Sequence, residues 1–183
     1  MPWGLKRFHQ SGQTHFVTFS CYHHRSSFIA ASAKRTFENA LERIRRSFGL
    51  YIYGYVVMPD HVHLLISEPP RGTLAEALKS LKQGVSRRLI GDAEHFWQKR
   101  YYDFNIRSHE QLVEKLSYIH RNPLRRGLCD RPEDWEWSSY TQGATGCEGR
   151  VEIESEWTAR KRERAAGKLC PERELPHSSQ NRA

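Results

Sequence analysis

Residues 50–67 read L-Y-I-Y-G-Y-V-V-M-P-D-H-V-H-L-L-I-S. Two apolar runs, Leu50–Met58 and His61–Ser67, are separated by Pro59-Asp60. Proline presets φ for a turn, and an aspartate side chain bonds backbone two residues on, so this dipeptide predicts a tight reversal. The two runs then predict a β-hairpin. Side chains alternate between faces along a strand. His61 and His63 therefore share one face, and Val62, Leu64 and Ile66 share the other. The apolar set calls for helices to cover it, while the imidazoles lie on a separate surface.

Upstream, His15–Tyr22 (H-F-V-T-F-S-C-Y) is β-branched and aromatic and predicts a first strand. Between it and the hairpin, Ser32–Phe48 carries Phe37, Leu41, Ile44 and Phe48 at helical spacing, and Gly49 is placed to end that helix. Downstream, Thr73 and Glu76 have capping-box spacing ahead of a helix over Leu74–Ile90. Phe96–Ile106 predicts a fourth strand. Ser108, with Gln111 three residues on, opens a third helix to about Asn122, where Pro123 is expected to kink or stop it. Trp135, Trp137 and Tyr140 are expected to close the body. Strand, helix, strand, strand, helix, strand, helix predicts an α+β fold, a ferredoxin-like plait: an antiparallel sheet with helices on one face. Residues 1–145 are expected to form one domain, beginning with a polar, basic arm over residues 1–14. Residues 146–183 are charged and poor in apolar anchors, which predicts a basic, polar, flexible tail.

The chain has 183 residues, with Lys+Arg 29 against Asp+Glu 21, a formal net charge of +8 and a pI near 9.5. Such a field raises the local concentration of polyanions and points to nucleic acid as partner. The four cysteines, Cys21, Cys129, Cys147 and Cys170, contain no C-x-x-C pair, so no zinc knuckle is indicated. No stretch resembles a signal peptide or a membrane span, and no membrane partner is expected. Free thiols without an export signal predict a cytoplasmic protein.

Two imidazoles on one strand face can chelate a divalent ion. An isolated H-x-H more often marks a polar outer face with two unrelated histidines. Asp60 reads as a turn residue, with a ligand role as the alternative, and His23 and His24 read as loop. On the third helix, Leu112, Leu116 and Ile119 make the apolar stripe. Gln111, Lys115, Tyr118 and Asn122 fall on another stripe at spacings of three and four. Tyr118 thus stands apart from the core positions, with Asn122 one turn further on. Asn122 is also acceptable as a plain helix-end residue before proline.

Three ordered stretches, V-V-M-P-D-H-V-H-L-L, F-W-Q-K-R-Y-Y-D-F-N-I-R and Y-I-H-R-N-P-L-R-R-G-L, together resemble the HUH single-strand nucleases with one catalytic tyrosine. The closer resemblance is to the REP-associated tyrosine transposases, over the first strand to Tyr140. It implies an HUH-type nuclease fold, with His61 and His63 as metal-binding pair, Tyr118 as nucleophile and Asn122 as third ligand. Asparagine, where insertion-sequence relatives carry glutamine, matches the REP-associated branch. The implied reaction cleaves and rejoins single-stranded hairpin DNA through a 5′-phosphotyrosine, with Mg²⁺ or Mn²⁺ as the divalent metal. The implied setting is the bacterial nucleoid. The implied partners are REP-like palindromic hairpins, and both monomer and homodimer remain open. A phenol is almost wholly protonated at neutral pH, so positioning must compensate, and Lys115 is placed one turn away to help.

Phe96–Arg107 interleaves aromatic and basic residues, a pattern suited to stacking on bases and meeting phosphates. Trp97, Arg100, Tyr101 and Arg107 are the candidate contacts there, joined by Lys82 on the second helix and by Lys115, Arg121 and Arg125 on and after the third. About half of the aromatics of a strand are expected in the core instead. A catalytically inactive hairpin-binding protein, a metal-dependent hydrolase that uses water and a basic structural protein with coincidental histidines are the rival readings.

Overall fold

A computed structural model describes residues 13–91 and 95–166. The expected arm, up to residue 12, and the last part of the expected tail, residues 167–183 with Cys170, lie outside the described residues. The elements are β1 (Thr14–Ser20), α1 (Ala31–Phe48), β2 (Ile52–Val57), β3 (His61–Ser67), α2 (Leu74–Ile90), β4 (Tyr102–Ile106), α3 (His109–Arg125), α4 (Tyr140–Thr145) and α5 (Glu156–Ala165). The four strands form one sheet in the order β2-β3-β1-β4, every pair antiparallel. This is the α+β plait expected from the sequence.

The hairpin folds as its alternation demands. Val62, Leu64 and Ile66 join Val17, Phe19, Ile52 and Val57 in a core covered by Phe37, Leu41 and Ile44 of α1 and by Leu78, Leu81 and Val85 of α2. Gly49, at φ 71°, ends α1 in the left-handed conformation that glycine adopts without a Cβ clash. Thr73 and Glu76 close the capping box ahead of α2. The opposite face has a smaller core of Phe16, Val56, Met58, Leu65, Ile106 and Ile119, against which Leu112 and Leu116 of α3 pack. The expectation of helices on one face therefore holds for α1 and α2 but not for α3. A third helix following β4 has its own apolar stripe to bury, and the uncovered sheet face is the surface within reach. Gly54 allows this close approach: a Cβ there would lie 2.4 Å from Cδ1 of Leu116. Pro123 does not stop α3, which runs to Arg125. A proline this close to the end deprives only one carbonyl of its helical partner.

Two further expectations are corrected. The fourth strand begins at Tyr102 rather than Phe96, and Phe96 and Trp97 instead pack in the α1–α2 core. The segment after Gly146 is not wholly a loose tail. Val151 and Ile153 are fully or almost fully buried in that same core. The Glu154 amide donates to the Ile52 carbonyl of β2 (2.7 Å), and Arg45 pairs with Glu152 (3.3 Å). Trp157 of α5 lies against Gly146. Few apolar anchors are needed when each is buried completely.

His120, on α3, bonds Ser139 Oγ through Nε2 (2.9 Å) and meets Tyr140 edge-on (5.4 Å), tying α3 to the segment that enters α4. Burial pushes its pKa down to about 4, from 6.5. The unfolded chain therefore takes up this proton first as pH falls. The stabilisation from neutral His120 is complete above pH 6.5 and is lost progressively towards pH 4. Urea unfolding of the wild type should show that decline, and His120→Gln should flatten it by on the order of 1–2 kcal/mol. Identical pH profiles for the two proteins would rule this origin out.

Candidate active site on the α3 face of the sheet

β3 carries His61 and His63 onto the face that α3 crosses, and both are buried. Their Nε2 atoms are 3.1 Å apart. Each ring is turned by a partner on its other nitrogen. His61 Nδ1–H donates to Asp60 Oδ1 (2.6 Å), and His63 Nδ1 shares a hydrogen bond with Thr18 Oγ1 (2.7 Å). With Nδ1 carrying the proton on both rings, the two Nε2 lone pairs face one another and could meet at one ion. Burial, offset in part by Asp60, holds the His61 pKa below its usual value. Burial, with the charges of His61 and Arg126, takes His63 down to about 3. Both rings are thus neutral at physiological pH, the form that binds metal.

α3 supplies the other half of the site. Asn122 is buried, with its amide nitrogen 3.2 Å from His63 Nε2 and no hydrogen-bond partner for Oδ1 among the described residues. A half-turn of the amide would exchange its two terminal atoms, which are alike in size. The Tyr118 ring meets His63 edge-on at 5.2 Å and Phe16 at 5.9 Å, with the Arg125 guanidinium 5.8 Å from its centre. At 37% relative exposure, Tyr118 is open to solvent while packed on its inner side.

No group of three or more His, Cys, Asp or Glu that could hold a metal occurs among the described residues. The converging set is instead two imidazoles and an amide. A 3.1 Å separation is what two ligands about 2.1 Å from a shared ion show when they sit near a right angle to one another. With the half-turn of its amide, Asn122 would present its oxygen beside His63 as a further donor, so the residues fit a divalent cation.

The other sequence candidates divide. Arg125 and Arg121 are exposed on the α3 side. The Lys115 ammonium lies over the rings of Phe104 (5.3 Å) and Phe16 (5.7 Å) and pairs with Glu114, so the cation over the tyrosine ring is Arg125. Arg100 and Arg107 are exposed beside β4. Trp97 is buried against Phe19 and Phe28, its N–H donates to the Lys82 carbonyl, and it keeps little surface for a base. Lys82 is turned to the Gln98 carbonyl (3.1 Å), and Tyr101 packs against the α1–α2 core. Trp97, Tyr101 and Lys82 thus belong to the sheet face away from the histidines, because β4 starts one residue after Tyr101 and its alternation sends Tyr102 to the histidine side.

Asp60 and Thr18 were not singled out by the sequence as supports of the histidines. The position of Asp60 beside the pair was the available signal, whereas Thr18 is brought in only by strand pairing, opposite His63. Partners of this kind fix ring orientation and typically contribute 10–100-fold to metal affinity. Asp60→Asn and Thr18→Val should each weaken Mn²⁺ binding by about 10-fold or more, read by titration calorimetry. Affinities within twofold of wild type would exclude this supporting role.

A family model described as "Transposase IS200 like" matches residues 9–122, ending on Asn122. The chain belongs to this family. A Haemophilus influenzae protein provisionally named a REP-associated tyrosine transposase is 26% identical over 117 residues, covering 57% of this chain and 66% of that protein. The Escherichia coli REP-associated tyrosine transposase is 22% identical over 136 residues, covering 74% of this chain and 81% of the relative. The solved structure of a REP-associated tyrosine transposase bound to a REP hairpin superimposes with a TM-score of 0.69 at 20% identity, over 83% of this chain and 92% of that one. The IS200-like family assignment and the plait agree. No helix among the described residues is long and apolar enough to cross a membrane.

Proposed function

We propose that this IS200-like protein is a metal-dependent endonuclease and strand transferase for single-stranded hairpin DNA, acting through a 5′-phosphotyrosine. The observation that carries the reading is a pair of neutral imidazoles with Nε2 atoms 3.1 Å apart, the buried Asn122 amide 3.2 Å from one of them and the accessible Tyr118 ring packed beside His63. His61, His63 and Asn122 would hold the ion, Mg²⁺ or Mn²⁺, the latter accepting imidazole more readily. When bound, the ion polarises a nonbridging phosphate oxygen and offsets charge in the transition state. The Tyr118 phenol oxygen attacks phosphorus, the bond to the 3′ oxygen breaks, and the phenol's proton leaves to solvent as the 3′-hydroxyl takes one up. The products are a 5′-phosphotyrosine and a free 3′-hydroxyl. Because the covalent link conserves the phosphodiester's free energy, a 3′-hydroxyl can reverse the step without ATP. Arg125 and Arg126 add positive charge around the phosphate. The named relatives favour REP-like hairpins as the substrate class and the bacterial cytoplasm, at the nucleoid, as the place of action.

The test is a denaturing gel of the protein incubated with hairpin oligonucleotides bearing a single-stranded foot, in Mg²⁺, Mn²⁺ or EDTA. A protein–DNA adduct is expected with either metal, absent in EDTA and reduced by at least about 100-fold in His61→Ala. Cleavage without an adduct would replace this reading with a water-using hydrolase. Tight hairpin binding with neither cleavage nor adduct would favour an inactive binding protein.

A further inference from the structure

The histidine face of the sheet extends past the histidines. The β3–β1 and β1–β4 registers place His63, Thr18 and Tyr102 side by side across three strands. His63 and Tyr102 are therefore two strand spacings apart, about 10 Å. Between them, on this face, β1 presents Thr18 and Ser20, both partly exposed, and the buried Phe16, whose ring stacks on His63 at 5.5 Å. The strand order sets the histidines on one side of β1 and Tyr102 on the other. The rings of Tyr118 and Tyr102 both stand edge-on to Phe16, at 5.9 and 6.2 Å. Phe16 is buried, so it fixes the two rings relative to one another and to His63.

We propose that Tyr102 is a substrate-positioning residue on which the base next to the scissile phosphate stacks. This rests on the function proposed above. A phosphate held between the histidines and Tyr118 has its adjoining base within a nucleotide's reach of the half-buried Tyr102 ring. An aromatic face accepts any unpaired base. Arg100, exposed two residues earlier, is placed to meet the backbone as the strand leaves. The neighbouring aromatics Trp97 and Tyr101 belong to the opposite core, and the Phe104 ring on this side lies under the Lys115 ammonium (5.3 Å), so Tyr102 is the β4 ring nearer His63 in the strand register.

The experiment is a binding cycle on Tyr118→Phe protein, which forms no covalent bond, with dye-labelled hairpins whose single-stranded foot carries an abasic site at each position in turn. At one position beside the cleavage point, loss of the base should weaken binding about tenfold. Tyr102→Leu should weaken binding of the intact hairpin by the same factor and lose nothing more with that abasic hairpin, while Tyr102→Phe should retain full affinity. Losses that multiply at every position would overturn the proposal. Should Tyr102→Leu not fold, 2-aminopurine at the foot positions decides the question with Tyr102 intact: quenching on binding is expected at the position beside the cut, and unchanged emission throughout overturns it. Binding is read separately from cleavage, so absence of an adduct in the wild type would sink the proposed function without deciding this cycle.

Discussion

Tyr118→Phe is expected to eliminate the covalent adduct and lower strand cleavage by at least about 10³-fold, with hairpin affinity within about twofold of wild type. The substitution removes one oxygen and keeps the ring. The contacts with Phe16 and His63 and the guanidinium of Arg125 over the ring are made by carbon atoms and persist. The side chain is partly exposed, so stability should change little. The variant thus separates chemistry from folding and from binding. Quench-flow cleavage rates and anisotropy binding curves on the same oligonucleotide provide the comparison. Cleavage that persists within tenfold of wild type would exclude Tyr118 as the nucleophile.

The second large effect is on stability. Ending the chain after Gly146 should destabilise the domain by about 3–6 kcal/mol, since fully burying an aliphatic side chain is worth about 1.5–3 kcal/mol and Val151 and Ile153 are both lost from the core. Set against a typical total of about 5–15 kcal/mol, that is enough to leave a marginal fold. The amide of buried Gln142, oriented to donate to the Val151 carbonyl (2.9 Å) and accept from the Ile153 amide (3.2 Å), would also lose both partners. Urea midpoints provide the measurement. The full-length double variant Val151→Ser, Ile153→Ser should lose a similar amount. A truncated chain as stable as the whole would show that this segment contributes nothing to the fold.

Much of this arrangement is legible in the sequence, for identifiable reasons. The hairpin is short-range: a Pro-Asp turn and strict alternation fix which side chains share a face, so the histidine pair follows without tertiary information. The phase of α3 likewise separates Tyr118 from Leu112, Leu116 and Ile119. Four features escaped. Which sheet face α3 covers depends on long-range packing through Gly54, which no local pattern records. The strand expected from Phe96 starts only at Tyr102 because aromatic residues suit both a strand and a buried loop, and that six-residue difference changes which aromatics face the histidines. Thr18 reaches His63 only through strand pairing. In the charged region after Gly146, the alternation V-E-I-E over residues 151–154 was the available sign of a packed segment, outweighed by the surrounding charge.

That segment also bears on how the protein behaves among its own copies. β2 is an outermost strand, and a bare strand edge offers unpaired amides and carbonyls to any other chain. Here the edge is occupied along its length. Val57 donates to the Trp137 carbonyl, the Ser139 amide donates to Tyr55, and Glu154 donates to Ile52. Glu152 and Glu154, ion-paired with Arg45 and Arg162, set charged side chains beside it, and charged residues at an edge discourage sheet-to-sheet growth. The covering therefore guards solubility as well as stability: a chain stripped of it would expose a ready template for aggregation on the side of the sheet farthest from β4.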